Sequence, residues 1–95
     1  MPKAEYQGTV LAESDATVAL EGNQYFPRES ADMSLFSPSD TQYTCPWKGD
    51  AAYFDIEIDG KRIADAAWSY PDPKDAAKEI TGYLAFDRSK GVTVS

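Results

Sequence analysis

The residue types that could do chemistry gather in one stretch of this chain, residues 41–54, which reads TQYTCPWKGDAAYF. It holds the only cysteine, Cys45, and a lysine, Lys48, set between Trp47 and Gly49. A lysine partly withdrawn from water beside aromatic surface can anchor a phosphate or carboxylate. It can also lose its proton and act as a base or nucleophile. On an open loop the same lysine lays its stem over Trp47 and keeps its charge in water. Both readings stand. Cys45 is either a small buried hydrophobe or a nucleophile whose thiolate depends on Lys48 or a helix terminus. Glu21 is the acid partner of Lys48, an ordinary turn residue before Gly22, or a general acid or base if it is unpaired with a raised pKa. Trp47, Trp68, Tyr25, Tyr53 and Tyr70 either line a pocket for a flat ligand or fill a small core.

The composition narrows the chemistry. The chain has no histidine, which excludes Ser-His-Asp and Cys-His catalysis and every histidine-ligated metal site. One cysteine forms neither an internal disulfide nor a multi-cysteine zinc site. No metal and no cofactor is expected. The acidic pairs Asp55/Glu57 and Asp72/Asp75 lack a glycine-rich phosphate loop beside them, and Asp40, Asp50, Asp72 and Asp75 read as solvated loop or cap residues. With a net charge of -7 and scattered cations, the chain has no basic stripe for general nucleic-acid binding. No apolar run approaches the ~20 residues of a membrane span, and the opening MPKAEYQGTV has no signal-peptide apolar region. The expectation is a cytoplasmic protein, monomer or homodimer, with no membrane partner.

The elements that must position these residues are mostly strands. Ninety-five residues fit one domain, residues 1–95, with a small core in which aromatics weigh heavily. Residues 6–12 and 16–21 favour β-branched side chains and are expected to pair as a hairpin turning at 13–15. Residues 25–27 suit a brief strand stopped by Pro27, and 30–36 a single helical turn capped by Ser30. Residues 37–40 read as a loop and 41–45 as a strand. From Ala51, alternation of Ala52, Phe54, Ile56 and Ile58 with Tyr53, Asp55 and Glu57 marks a half-buried strand. Asp59-Gly60 is a type I′ hairpin signal. It sets Ile58 against Lys61, Glu57 against Arg62 and Ile56 against Ile63. Continued without a break, it would set Phe54 against Asp65, so a β-bulge is expected near Ala64. Ala66, Trp68 and Tyr70 share one face of the returning strand. Residues 74–80 are the best helical segment, ended by Gly82, and 83–86 and 91–94 are closing strands.

Four groups of residues carry a family resemblance. They are Glu21-Gly22 before Tyr25-Phe26-Pro27; Thr44-Cys45-Pro46-Trp47-Lys48-Gly49 with Ala51 and Tyr53; Ala67-Trp68-Ser69-Tyr70-Pro71; and Ile80-Thr81-Gly82-Tyr83-Leu84-Ala85-Phe86. Together they resemble the small bacterial DUF427 family over nearly the whole chain. The resemblance implies a domain of unknown function, sometimes labelled nucleotidyltransferase-like, with a compact fold similar to the β-tent proteins. Many β-tent relatives hold zinc on cysteine pairs. The single cysteine here departs from that pattern, so a structural zinc does not carry over.

The sequence therefore leads to a mainly β, antiparallel, β-tent-like domain with one or two short helices. Its expected function is to bind a small anionic or flat ligand in a pocket built by TCPWKG and WSYP. In that pocket Lys48 supplies charge, Trp47, Tyr25, Tyr53, Trp68 and Tyr70 supply walls, and Glu21 orients the lysine. Two alternatives stand beside it. One is a nucleotide-handling enzyme with Lys48 on phosphate and Glu21 or Asp55 on metal. The other is a protein-interaction or dimerisation module with exposed aromatics.

Overall fold

The computed structural model describes residues 1–95 as a mainly antiparallel β domain. Nine strands form three sheets. Strands β1 (Lys3–Tyr6), β2 (Thr9–Glu13) and β9 (Thr93–Val94) make one, in the order β2-β1-β9. Strands β3 (Val18–Leu20) and β4 (Asn23–Tyr25) make a two-stranded ribbon. Strands β5 (Phe36–Cys45), β6 (Gly49–Ile58), β7 (Lys61–Ser69) and β8 (Leu84–Phe86) make the largest sheet, in sequence order. No helix is long and apolar enough to cross a membrane.

Three two-residue turns set the hairpins. Gln7-Gly8, Glu21-Gly22 and Asp59-Gly60 all have positive φ at both residues, the type I′ geometry whose twist matches paired strands. They close the pairs Tyr6/Thr9, Leu20/Asn23 and Ile58/Lys61. The hairpin expected between residues 6–12 and 16–21 is therefore corrected. The chain reverses at Gln7-Gly8 and again at Glu21-Gly22, and β2 and β3 lie in different sheets. A residue followed by glycine was the stronger turn signal than the polar triplet at 13–15.

The β6–β7 register is as read from the sequence, with Glu57 opposite Arg62 and Ile56 opposite Ile63. The expected bulge is also present. Phe54 faces Ala67, so Ala64, Asp65 and Ala66 together face Asp55. Asp65 takes φ 53° within it. A second irregularity in β5, between Pro38 and Gln42, lies opposite Tyr53. A polar network ties the two together. Asp55 Oδ1 accepts the Asp65 backbone N–H at 2.9 Å and Oδ2 accepts Arg62 Nε at 2.8 Å, while Ser39 Oγ and Thr41 Oγ1 donate to Asp65 at 2.5 and 2.7 Å. Residues 37–40 are thus part of the strand rather than a free loop.

No α-helix forms. Residues 28–30, 33–35 and 88–90 are single 3₁₀ turns, and Asp75–Ile80 is a 3₁₀ segment broken at Ala77 (φ −123°, ψ 21°). The segment is too short to offset helix nucleation, and Lys74 at its start gives no side-chain cap. A three-residue period also puts Ala77 and Ile80, both 0% exposed, on one face.

The core divides in two. The larger cluster has thirteen buried residues, among them Leu11, Phe26, Phe54, Ile56, Leu84 and Phe86. The smaller has six: Tyr25, Cys45, Tyr70, Ala77, Ile80 and Ala85. Strand β7 serves both, because Ala66 and Ala67 join the first while Trp68 packs on the second.

Candidate functional site

The TCPWKG motif forms the three-residue connection between β5 and β6, with Cys45 opposite Gly49 and Pro46, Trp47 and Lys48 at the turn. Residues 72–74 brace it from outside. Lys74 donates its backbone N–H to Lys48 O at 2.9 Å and its Nζ to Pro46 O at 2.7 Å. Gly49 has φ 109°, and a β-carbon there would meet Asp72 O and Lys74 N at 3.5 Å. The contacts alone would be ordinary packing; it is the left-handed backbone that favours glycine here.

This bracing turns Lys48 inward. The residue is 7% exposed, and its ammonium lies 5.3 Å from the ring centroids of both Trp47 and Tyr70. The ammonium forms an ion pair with Glu21 Oε1, and Trp47 Nε1 donates to Glu21 Oε2 at 3.3 Å. Glu21 reaches the pair from the β3–β4 turn, where its side chain stays half exposed. Beside this group, Trp68 Nε1 donates to Tyr25 Oη at 3.2 Å. The Trp68 ring sits edge-on to Tyr25 and 6.4 Å from Tyr53. Cys45 is a free, buried thiol in the same cluster. All eight sequence candidates thus converge on one region.

The electrostatics decide what Lys48 can do. Burial works against its ammonium, but the hydrogen bond to Glu21 and the oxygens of Tyr25 and Tyr70 outweigh it, so its pKa rises above the usual lysine value. The hydrogen bond from Lys48 holds the Glu21 carboxyl below its usual range, with the Trp47 indole adding to the effect. Both groups stay charged at neutral pH. This corrects the reading of Lys48 as a low-pKa base or nucleophile and of Glu21 as an unpaired acid. Desolvation raises Tyr53, and raises Tyr70 to about 12, so both remain phenols.

The second correction concerns the pocket. Three surface grooves are present, and Lys48, Glu21, Trp47, Tyr25, Tyr53, Tyr70 and Cys45 line none of them. The Lys48 side chain itself occupies the space between the rings. Of the expected wall residues only Trp68 borders a groove, of about 350 Å³, together with Asn23, Phe86, Asp87, Arg88 and Ser89. A neighbouring groove of about 280 Å³ shares Asn23, Phe86 and Arg88 and adds Gly22 and Gln24. The two grooves meet at Arg88, a residue the sequence reading counted only among scattered cations. Nothing local distinguishes it, because the groove forms only when the β3–β4 ribbon lies beside β8.

Asp55, the alternative metal ligand, already has both carboxylate oxygens engaged by Arg62 and the Asp65 N–H. The Asp65 N–H is the main cause of its lowered pKa. No group of three or more histidine, cysteine, aspartate or glutamate side chains is placed to hold a metal ion.

A protein-family model described as a domain of unknown function, DUF427, matches residues 2–94. The chain belongs to the DUF427 family. No curated protein matches it. The four sequence groups of this DUF427 chain meet in space. Glu21 and the TCPWKG turn share the ion pair, Trp68 and Tyr70 flank it, and Phe26 bridges Leu84 in the last group.

Proposed function

We propose that this DUF427 domain binds a small anionic ligand with a flat portion in the joined grooves at Asn23, Phe86 and Arg88. The observation that carries the reading is the position of Arg88. It borders both grooves, and its guanidinium makes one long hydrogen bond, from Nη2 to Gly22 O at 3.2 Å. The other guanidinium donors remain free for a phosphate or carboxylate, which an arginine fork matches in two-point contact. Trp68 supplies aromatic surface to one groove, Gln24 carries an amide in the other, and Asn23 borders both. The volumes fall at the lower end of small-molecule sites, which fits a ligand the size of a sugar phosphate or a mononucleotide.

Binding without chemistry is the better match to this groove. Its one aspartate, Asp87, uses Oδ1 to cap the 3₁₀ turn, accepting from Ser89 N at 3.0 Å and Ser89 Oγ at 2.6 Å. The Lys48–Glu21 pair acts at a distance. It fastens the β3–β4 ribbon, which carries Asn23 and Gln24, to the β5–β6 turn.

A thermal-shift panel of mononucleotides, sugar phosphates and small carboxylates tests this reading on wild type, Arg88→Ala and Lys48→Met. A ligand at one hundred times its Kd adds about 2.7 kcal/mol to the folded state. The expected result is a stabilising compound whose effect disappears in Arg88→Ala and persists in Lys48→Met. A compound lost in Lys48→Met and kept in Arg88→Ala would return the site to the aromatic cluster. Silence across the panel would remove the small-ligand reading.

A further inference from the structure

The strand edges of this protein are treated unequally. The outer edge of β8 is covered, because Phe26 and Leu84 exchange two backbone hydrogen bonds of 2.8 Å. The outer edge of β2 is met by Ala31, and the Asp32 N–H donates to Leu11 O at 3.0 Å. Strand β5 is the other edge of the largest sheet, is ten residues long, and pairs only with β6. Its first half is guarded by Pro38 and by the irregular segment tied to Asp65. Its second half is not. Gln42, Tyr43 and Thr44 run in regular register against Ala52, Ala51 and Asp50, and all three are exposed, Tyr43 by 50%. Proteins commonly blunt such edges with lysine, proline or a bulge, and residues 42–45 contain none of these.

Beside this edge lies a groove of about 310 Å³ lined by Gln42, Tyr43, Thr44, Asp50 and Ala51. Asp50 is exposed, and the only hydrogen bond of its side chain is accepted from Thr44 Oγ1 at 2.7 Å. Asp40 is exposed at the other end of the free edge. Neither forms an ion pair. The free edge therefore offers backbone hydrogen-bonding groups, one side-chain groove and two unpaired negative charges.

We propose that residues 42–44 of β5 accept an extended, lysine- or arginine-bearing segment of another protein as an added strand. Backbone hydrogen bonds provide the affinity, and the groove with Asp50 and Asp40 selects a segment with cationic side chains. A second copy of this chain fits poorly. Strand β5 carries no lysine or arginine, and pairing would bring together two domains of charge -7 each.

The test uses the intact domain and two blocked peptides, one alternating lysine with valine and one alternating glutamate with valine. The lysine peptide is expected to bind with a Kd below about 1 mM, and the glutamate peptide at least about ten-fold more weakly. Bound peptide should slow hydrogen exchange at amides within residues 41–45. Asp50→Lys and Asp40→Lys, each at an exposed position, should weaken the lysine peptide while leaving the melting temperature in place. Equal affinity for both peptides would overturn the proposal. So would protection appearing at Asn23 and Arg88 instead, or a concentration-dependent dimer that protects β5 without peptide.

Discussion

The two parts of the core solve the same problem with different materials. Apart from Tyr6, the larger cluster is built from alanine, aliphatic residues and phenylalanine rings in edge-to-face contact, with Phe26 and Phe86 5.7 Å apart and Phe36 and Phe54 6.1 Å apart. Such surfaces attract without direction, and several arrangements could bury similar area. The smaller cluster buries Tyr25, Tyr70, Cys45 and the ammonium of Lys48. Each polar atom there needs a partner, so few geometries are tolerated. The first region buries more side chains and is expected to supply more of the stability, while the second ties the β3–β4 ribbon to the β5–β6 turn through Glu21 and Lys48. Buried area and structural specificity are separately located in this domain.

The largest expected effect is in the larger cluster. Phe26 is 0% exposed, and Phe26→Ala should cost about 3–5 kcal/mol in denaturant unfolding. A loss near that of an exposed residue would mean that the two clusters do not divide the stability as described.

Lys48 sharpens the contrast. Lys48→Ala removes both stem and charge, and should cost about 1–3 kcal/mol, less than breaking a fully buried pair because Glu21 can return to water. Lys48→Met keeps apolar bulk between Trp47 and Tyr70 and should cost about 1 kcal/mol or less. Equal losses in the two variants would show that the charge, rather than the packing, holds the ribbon.

Alkaline pH should act on the smaller cluster first. Tyr70 titrates at about 12 in the fold against 10.0 as its ordinary value, and Lys48 is raised above 10.5. For both groups the stabilisation is complete below the ordinary value and is lost as pH rises through the folded one. Wild-type stability should therefore fall from about pH 10 upward. Tyr70→Phe should fall less steeply over the same interval, as followed by urea midpoints. Identical slopes would place the loss elsewhere.

Cys45 gives the smallest effect. It is 6% exposed, so a thiol reagent should label it only as fast as the cluster opens. Cys45→Ala should cost about 1 kcal/mol. Rapid labelling of the native protein would show that the smaller cluster is not closed.

Much of this was legible along the chain because the signals are local. Asp59-Gly60 set the β6–β7 register, and the mismatch it would create at Phe54 announced the bulge. The pairing of Glu21 with Lys48 was readable as a match of residue types, and the fold brings the two together from 27 residues apart. The first hairpin was misplaced because Gln7-Gly8 and the polar triplet at 13–15 compete as turn signals, and only sheet assignment separates them.

The sequence by itself determined the strand-rich class, the type I′ turn at Asp59-Gly60 and the set of residues that gather around Lys48. Turn geometry and side-chain alternation act over a few residues. Tertiary structure alone decided that Lys48 fills the space between Trp47 and Tyr70 instead of lining a cavity, because residues 72–74 and Glu21 must arrive from distant parts of the chain to turn it inward. It also decided that the open grooves lie at Arg88 and along β5. A groove is the space left between elements, and no single segment encodes it.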